Sequence, residues 1–179
     1  MKVLGISGSP RKGGNTEIFV SETLRTIDSM GLRTELLAVA GRRILPSTGD
    51  DERDMSLDDD AHEFTEKMLE ADGIIIGSPV YFQNTSGQLK SLMDRTHYFH
   101  VGYRLRGKVG GAIAVTGSTG VGSTLAIINS FFLQHRMMIC HPGAFAILRK
   151  PSNVRLDEAA LRGAHDLGDA VASLLKRLH

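Results

Sequence analysis

Short apolar runs alternate along the chain with longer segments in which apolar residues recur at helical spacing. The runs predict five β-strands, at residues 3–6, 34–39, 74–76, 109–115 and 143–148. The longer segments predict five α-helices, at residues 17–30, 61–71, 86–96, 123–137 and 156–178. The third strand is apolar on both faces, as a parallel sheet covered by helices requires. The pattern therefore predicts an α/β fold, a doubly wound sandwich with helices on both faces of a parallel sheet.

The size and composition of the chain predict one domain. With 179 residues, 41% of them hydrophobic, the chain can bury one sizeable core, so we expect residues 1–179 to form a single domain. The single cysteine, Cys140, excludes an internal disulfide and a thiolate metal cluster, which fits a reducing compartment. No early apolar stretch is long enough for a signal or membrane segment, and the net charge of +1 offers no field for nucleic acid. We therefore expect a cytoplasmic protein with no membrane or nucleic-acid partner.

Polar connections separate the predicted elements. Residues 40–57 form the one long connection without predicted secondary structure, and loops of that length tend to be functional or mobile. The acidic runs at residues 50–52 and 58–60 are interpreted as solvated charges. Three shorter loops, at residues 7–15, 78–85 and 116–122, follow predicted strands and carry unusual residues. Since ligands of such sheets bind beyond the carboxyl ends of the strands, we expect the binding site among these three loops.

The first of these loops lies in the stretch GISGSPRKGGNT, residues 5–16. It is not the phosphate-binding loop of nucleotide triphosphatases, because Gly14 stands where that motif requires lysine. It is not the GxGxxG dinucleotide motif either, because Ser7 and Pro10 stand at glycine positions.

A phosphate monoester suits the composition of the same loop. Its hydroxyl groups, at Ser7, Ser9 and Thr16, can donate hydrogen bonds, and Arg11 can add a charge-assisted pair of bonds. The loop also opens onto the amino end of a predicted helix, whose N–H groups and dipole favour an anion. The alternative is an ordinary glycine-rich turn before a capped helix.

The second loop begins GSPVYFQN, at residue 77, and brings two aromatic residues just past a buried strand. Tyr81 and Phe82 would ordinarily belong to the core. The stiff segment Ser78-Pro79-Val80-Tyr81 instead offers a backbone edge against which a flat heteroaromatic ring can lie.

Three stretches together resemble the NADPH-dependent FMN reductase family of flavodoxin-like flavoproteins, and the likeness covers most of the chain. They are residues 5–16, residues 77–95 (GSPVYFQNTSGQLKSLMDR) and residues 105–123 (LRGKVGGAIAVTGSTGVGS). The resemblance implies a five-stranded parallel sheet in the order 2-1-3-4-5 that binds FMN at its carboxyl edge. It also implies a homodimer or homotetramer, for which residues 97–103 offer an aromatic-rich patch.

The resemblance also implies which residues contact FMN. Those at the phosphate would be Ser9, Arg11, Asn15 and Thr16, with Ser7 as a further hydroxyl donor. Those bordering the flavin ring would be Pro79, Val80, Tyr81, Phe82 and Asn84 on one side and Thr116, Gly117, Ser118 and Gly120 on the other.

One departure concerns the iron–sulfur branch that the sequence also resembles, in which the loop after the second strand carries several cysteines. Here that loop reads AGRRILPSTGDDERDM and has no cysteine. Because an iron–sulfur cluster needs about four thiolates, we expect flavin alone.

The implied function is that of an FMN-dependent oxidoreductase. NADPH or NADH would donate a hydride to the flavin, and the electrons would pass to a small acceptor such as free flavin or a quinone. We expect residues 40–57 and 85–87 to border the open flavin face. The alternative is a flavodoxin-like electron carrier that reacts only with redox proteins, although such carriers usually present a strongly acidic face.

Overall fold

The structure is a computed structural model that describes residues 1–149 and 153–178. A parallel β-sheet forms its centre. Its strands are β1 (Lys2–Ser7), β2 (Arg33–Ala38), β3 (Gly73–Pro79), β4 (Val109–Thr116), β5 (Met138–Ile139) and β6 (Ala144–Ile147). They lie in the order β2-β1-β3-β4-β5, with β6 also paired to β4 and every pairing parallel. The predicted fold class and the strand order 2-1-3-4-5 are confirmed.

Helices cover both faces of the sheet. They are α1 (Asn15–Ser29), α2 (Asp51–Met55), α3 (Ala61–Glu70), α4 (Gly87–Asp94), α5 (His97–His100), α6 (Val121–Gln134) and α7 (Glu158–Leu178), and a 3₁₀ turn spans Val154–Leu156. One face of the sheet packs against α1 and α7, and the other against α3, α4 and α6. The apolar centre of β3 sends Ile75 to the first core and Ile74 and Ile76 to the second, because successive side chains of a strand point to opposite faces.

The predicted strand at residues 143–148 is shorter in the structure, and a sixth strand accompanies it. Both β5 and β6 pair with β4, at opposite ends of its length. Pro142 and Gly143 separate them: proline lacks the N–H that a sheet requires, and Gly143 has a φ of +126°. The helix predicted at residues 123–137 spans Val121–Gln134 in the structure, and β5 follows it at Met138–Ile139.

Residues 40–60 are more ordered than the sequence predicts. They contain the short helix α2, and Asp54 and Asp59 lie buried rather than solvated. The Asp59 carboxylate accepts hydrogen bonds from the backbone N–H of Leu45 at 2.8 Å and from Nη1 of Arg95 at 2.6 Å. The interpretation of residues 58–60 as a solvated run is therefore wrong for Asp59, because its partner Arg95 lies in another part of the sequence.

The longest helix, α7, is amphipathic. Its buried residues include Leu167, Val171 and Leu175, whereas charged residues such as Lys176 and Arg177 are exposed. Within residues 1–149 and 153–178, no helix is both long enough and apolar enough to cross a membrane.

The segment at residues 97–103 forms α5 and the turn after it. Phe99 is buried, and the Tyr98 hydroxyl donates to Oγ1 of Thr65 at 3.1 Å. Val101 and Tyr103 are 69% and 37% exposed. The aromatic patch is thus smaller than the sequence indicates, and self-association stays a prediction.

Candidate functional site

A cavity of about 760 Å³ opens at the carboxyl ends of β1, β3, β4 and β6. Its volume lies within the range of small-molecule and cofactor sites, roughly 300–1,000 Å³. The lining residues come from four loops and the ends of the neighbouring elements, and they are Ser9, Arg11, Gly13, Gly14, Asn15, Thr16, Ile18, Pro79, Val80, Tyr81, Val115, Thr116, Gly117, Leu148, Arg149 and Asn153.

The structure brings most of the predicted site residues together at this cavity. The predicted residues that line it are Ser9, Arg11, Asn15, Thr16, Pro79, Val80, Tyr81, Thr116 and Gly117. The predicted residues that do not line it are Ser7, Phe82, Asn84, Ser118 and Gly120. All three predicted loops therefore contribute, but parts of the second and third loops turn away from the cavity.

Local structure explains why those residues are elsewhere. Ser7 still belongs to β1 and is fully buried, and its Oγ has no hydrogen-bond partner among the described residues. The Asn84 side chain accepts a hydrogen bond from the N–H of Thr85 at 2.7 Å. Ser118 is exposed at the tip of its loop, and Gly120 is packed so tightly that an added Cβ would lie 2.7 Å from Cγ1 of Val80.

The loop before α1 presents backbone and hydroxyl groups at one end of the cavity. The Ser9 Oγ accepts from the N–H of Arg11 at 3.1 Å, which fixes the turn, and Gly13 has a φ of +65° that suits glycine. Helix α1 begins after Gly14, which has no side chain to cap the first N–H groups. An uncapped helix amino terminus is a ready anion site.

Glu17 is the acidic neighbour of this loop. Its carboxylate accepts from the N–H of Gly13 at 3.0 Å, on the exposed side of the turn. It does not line the cavity, whose charged lining residues, within the described chain, are Arg11 and Arg149. Both are cations, so this end of the cavity favours an anionic group.

The structure adds a fourth wall that the sequence did not predict. Leu148, Arg149 and Asn153 follow β6, and the Asn15 Oδ1 accepts from the N–H of Val154 at 2.9 Å, which ties this wall to α1. The rule that ligands bind beyond the carboxyl ends of strands applies to this loop as well and was the available signal.

Two further lining residues, Ile18 and Val115, also escaped prediction. Ile18 lies in the first turn of α1, and Val115 lies near the end of β4. Both are ordinary apolar residues of their elements, and only their position beside the predicted loops could have indicated them.

A tight turn at residues 81–84 limits the ring side of the cavity. Tyr81 and Asn84 exchange two backbone hydrogen bonds, at 2.9 and 3.0 Å. The two central residues, Phe82 and Gln83, have φ values of +48° and +66°, as in a type I′ turn, where Asn-Gly is the usual pair. Left-handed conformations of non-glycine residues cost on the order of 1–3 kcal/mol each.

Side-chain contacts hold this turn against the loop after β4. The Gln83 Nε2 donates to Oγ1 of Thr119 at 3.1 Å, and the Ser123 hydroxyl donates to Oε1 of Gln83 at 3.3 Å. The two loops that border the cavity are thus joined by one amide group.

The buried Ser86 follows the turn at residues 81–84 and joins it to the glycine-rich loop before α1. The Ser86 Oγ accepts from the N–H of Leu89 at 3.2 Å and so caps the amino end of α4. Its hydroxyl also donates to the carbonyl oxygen of Gly8 at 2.5 Å. The two halves of the site are therefore fixed relative to each other.

None of residues 40–57 and 85–87 lines this cavity, and their position beside the open flavin face stays a prediction. Thr85 and Ser86 are buried beneath the turn. Residues 40–57 are held by Arg95, whose guanidinium donates to the carbonyl oxygens of Leu45 and Asp54 and pairs with the carboxylate of Asp59.

The cavity fits FMN by its chemistry. The uncapped amino end of α1, the Ser9 hydroxyl and Arg11 suit a phosphate. Apolar side chains, among them Val80 and Leu148, suit a ring, and Gly117 leaves room beside them.

Comparisons with known proteins agree with this fold and chemistry. The family model for NADPH-dependent FMN reductases matches residues 1–151. The chain is 42% identical over 189 aligned positions to an iron-sulfur flavoprotein of Methanocaldococcus jannaschii, and the alignment covers 98% of both chains.

Solved structures share the fold. RosB with bound 8-demethyl-8-formylriboflavin-5'-phosphate superposes with a TM-score of 0.84 at 13% identity, over 99% of this chain and 80% of RosB. A flavodoxin from the domain Archaea superposes with a TM-score of 0.68 at 19% identity, over 98% of this chain and 99% of that one.

The fold and the family match define an FMN-binding oxidoreductase of flavodoxin-like architecture. The chain belongs to the NADPH-dependent FMN reductase family. The iron–sulfur part of its relative's name does not extend to this sequence, whose single cysteine, Cys140, cannot by itself ligate a cluster.

Proposed function

We propose that this protein is an FMN-dependent NAD(P)H oxidoreductase that passes electrons from a nicotinamide to a small acceptor. The observation that carries the proposal is the cavity itself. It joins an anion-binding helix terminus to walls of apolar and neutral polar residues, and it lies open to solvent at the sheet edge. The family name supports a nicotinamide donor and a flavin acceptor.

The proposed phosphate contacts are Ser9, Arg11, Asn15 and Thr16. Ser9 and Thr16 are nearly buried hydroxyl residues at the cavity wall, and Arg11 is exposed. Arg11 would add charge-assisted hydrogen bonds, which are about twice as strong as neutral ones. These residues bind and orient the cofactor and take no part in the electron transfer.

The proposed ring contacts are Pro79, Val80, Tyr81, Thr116 and Gly117. Bound FMN accepts a hydride and returns one or two electrons, which is the chemistry of the cofactor itself. These residues would hold the ring between the two loops that the Gln83 amide joins, and one side of the ring would stay accessible.

The test is an anaerobic titration of the FMN-loaded protein with NADH and with NADPH, followed by flavin absorbance. We expect either nicotinamide to bleach the flavin without a partner protein. Turnover with a small quinone should then show ping-pong kinetics, because donor and acceptor use the same open face in turn.

Reduction by dithionite serves as the control for a redox-competent flavin. Bleaching by dithionite together with no bleaching by either nicotinamide at millimolar concentration would contradict the proposal. That result would support the alternative, an electron carrier that depends on a protein partner.

A further inference from the structure

The turn at residues 81–84 carries an aromatic ring that the fold does not use. Phe82 is fully exposed, with a relative accessibility of 102%. It is the most exposed large apolar residue among those that the structure describes. Neither apolar core includes it. Packing among the residues that the structure describes therefore gives no reason for a phenylalanine at this position.

The backbone of the turn makes this residue less expected still. Phe82 adopts a left-handed φ of +48°, a conformation that favours glycine, asparagine or aspartate. Gln83 is left-handed as well, but its amide group bonds to Thr119 and Ser123 and so has a structural role. Strained residues tend to cluster at functional sites. Of the two, Phe82 is the one whose side chain remains to be explained.

The turn stands at the border of the cavity. The residue before Phe82, Tyr81, lines the cavity and is itself 41% exposed. The residue after it is joined to the loop that carries Thr116 and Gly117, which line the cavity from the next strand. An aromatic ring on this turn is therefore beside the path by which a second molecule approaches the ring side.

The two segments that meet at the turn contain no charged residues. Residues 79–89 and 115–134 contain no aspartate, glutamate, lysine, arginine or histidine. The cationic lining residues, Arg11 and Arg149, come from the other two loops. A charged acceptor such as a metal ion or an inorganic anion would find no counter-charge here, whereas a flat uncharged ring would find an aromatic partner.

We propose that Phe82 contacts the flat, uncharged ring of the electron acceptor, and that the acceptor class is therefore a quinone or another planar ring system. This inference rests on the proposed function. It changes the predicted role of Phe82 from bordering the flavin to contacting the second substrate. Phe82 binds and positions the acceptor and has no chemical role.

The first test uses tryptophan fluorescence, because the natural chain contains no tryptophan. In Phe82→Trp the only tryptophan signal comes from this turn. Titration with 1,4-naphthoquinone should quench it with a saturable curve, as a bound complex requires. The matched control is Leu133→Trp on α6, where the natural leucine is 61% exposed, and it should show only collisional quenching, linear in concentration.

The second test isolates electron delivery from the nicotinamide step. The FMN-loaded protein is photoreduced without oxygen and mixed with 1,4-naphthoquinone or ferricyanide. In Phe82→Asn the quinone concentration for half-maximal reoxidation should rise about 3- to 10-fold, the size of a lost aromatic contact, and the value for ferricyanide should change less. Phe82→Tyr should restore the natural value. Asparagine tolerates a left-handed φ, so the thermal midpoint should not fall.

Equal changes for both acceptors, or non-saturable quenching of the tryptophan in Phe82→Trp, would overturn the proposal. If that tryptophan became shielded as protein concentration rises, without quinone, the proposal would be overturned in favour of an interface with a second copy. Failure of nicotinamide reduction with an intact quinone effect would overturn the proposed donor and leave the role of Phe82 standing.

Discussion

Residues 40–60 and the turn at residues 81–84 both lie near the carboxyl edge of the sheet, but different kinds of contact hold each of them in place. Residues 40–60 are held by buried charges: Arg95 and Asp59 pair at 2.6 Å with side chains 3% and 0% exposed. Asp54 accepts hydrogen bonds from Ser47 and Thr48. The turn at residues 81–84 and the loop after β4 have no charged side chains and are held by backbone turns and amide or hydroxyl groups.

The two kinds of contact suit two different roles, structural support for residues 40–60 and ligand binding for the uncharged loops. A buried ion pair fixes one geometry, because leaving either partner alone is costly, and it therefore suits a loop that must stay in place. Uncharged walls suit a ring that enters and leaves. Residues 40–60, which we call the charged region, do not line the cavity, so we interpret them as structural rather than as part of the site.

The largest expected effect tests the charged region. Arg95→Ala leaves the Asp59 carboxylate buried without its cation and removes the donors to the carbonyl oxygens of Leu45 and Asp54. We expect the free energy of unfolding to fall by about 3–5 kcal/mol, measured by chemical denaturation at neutral pH. The matched control is Arg106→Ala, an exposed arginine that should change stability by less than about 0.5 kcal/mol. Equal effects of the two substitutions would contradict the comparison.

Acid should weaken the fold in two separate pH ranges. Burial, and then the charge of His100, lowers the pKa of His135 from its usual 6.5 to about 4. The unfolded chain therefore binds this proton more readily, and stability is lost as the pH falls from about 6.5 to 4, by about 3 kcal/mol at most.

The lower pH range belongs to the charged region. Burial alone would raise the pKa of Asp59, but N–H donors and the Arg95 guanidinium together hold that pKa below its usual range. Its stabilisation is present above about pH 4 and is lost as the pH falls further. Denaturation series should show that His135→Gln flattens the upper range and Asp59→Asn the lower. Loss of both ranges in either variant would count against this assignment.

The next effect tests the anion-binding end of the cavity. Arg11→Ala should weaken FMN binding by about 1.5–3 kcal/mol and leave riboflavin affinity nearly unchanged, because only FMN carries the phosphate. Isothermal titration of the apo protein with both ligands measures the preference. Lys12→Ala is the control, since the neighbouring cation is exposed and does not line the cavity. Equal affinities of the natural protein for FMN and for riboflavin would contradict the assignment of Arg11 and its neighbours to the phosphate.

The resemblance to the FMN reductase family implied the strand order, and most of the cavity residues could be predicted because motifs that follow parallel strands meet at one edge of the sheet. The sequence did not predict the burial of Asp59, whose partner Arg95 is distant in the chain and becomes a neighbour only after folding. It did not predict that Phe82 lies outside the cavity lining, because the left-handed turn contains neither glycine nor proline to reveal it. The wall at Leu148 and Arg149 was not predicted, because only the loops after the first, third and fourth predicted strands were assigned to the site.

The smallest expected effect tests how the uncharged region is held. Gln83→Ala removes the amide bridge to Thr119 and Ser123 but keeps a side chain at the strained position. We expect a loss of about 0.5–1.5 kcal/mol in unfolding free energy, the usual net value of a hydrogen bond. Gln83→Gly removes the same bridge but relieves the left-handed strain at φ +66°, so it should cost less than Gln83→Ala. If Gln83→Gly destabilised the protein more than Gln83→Ala, the turn would not be strained as described, and its backbone would no longer distinguish Phe82 from other exposed residues.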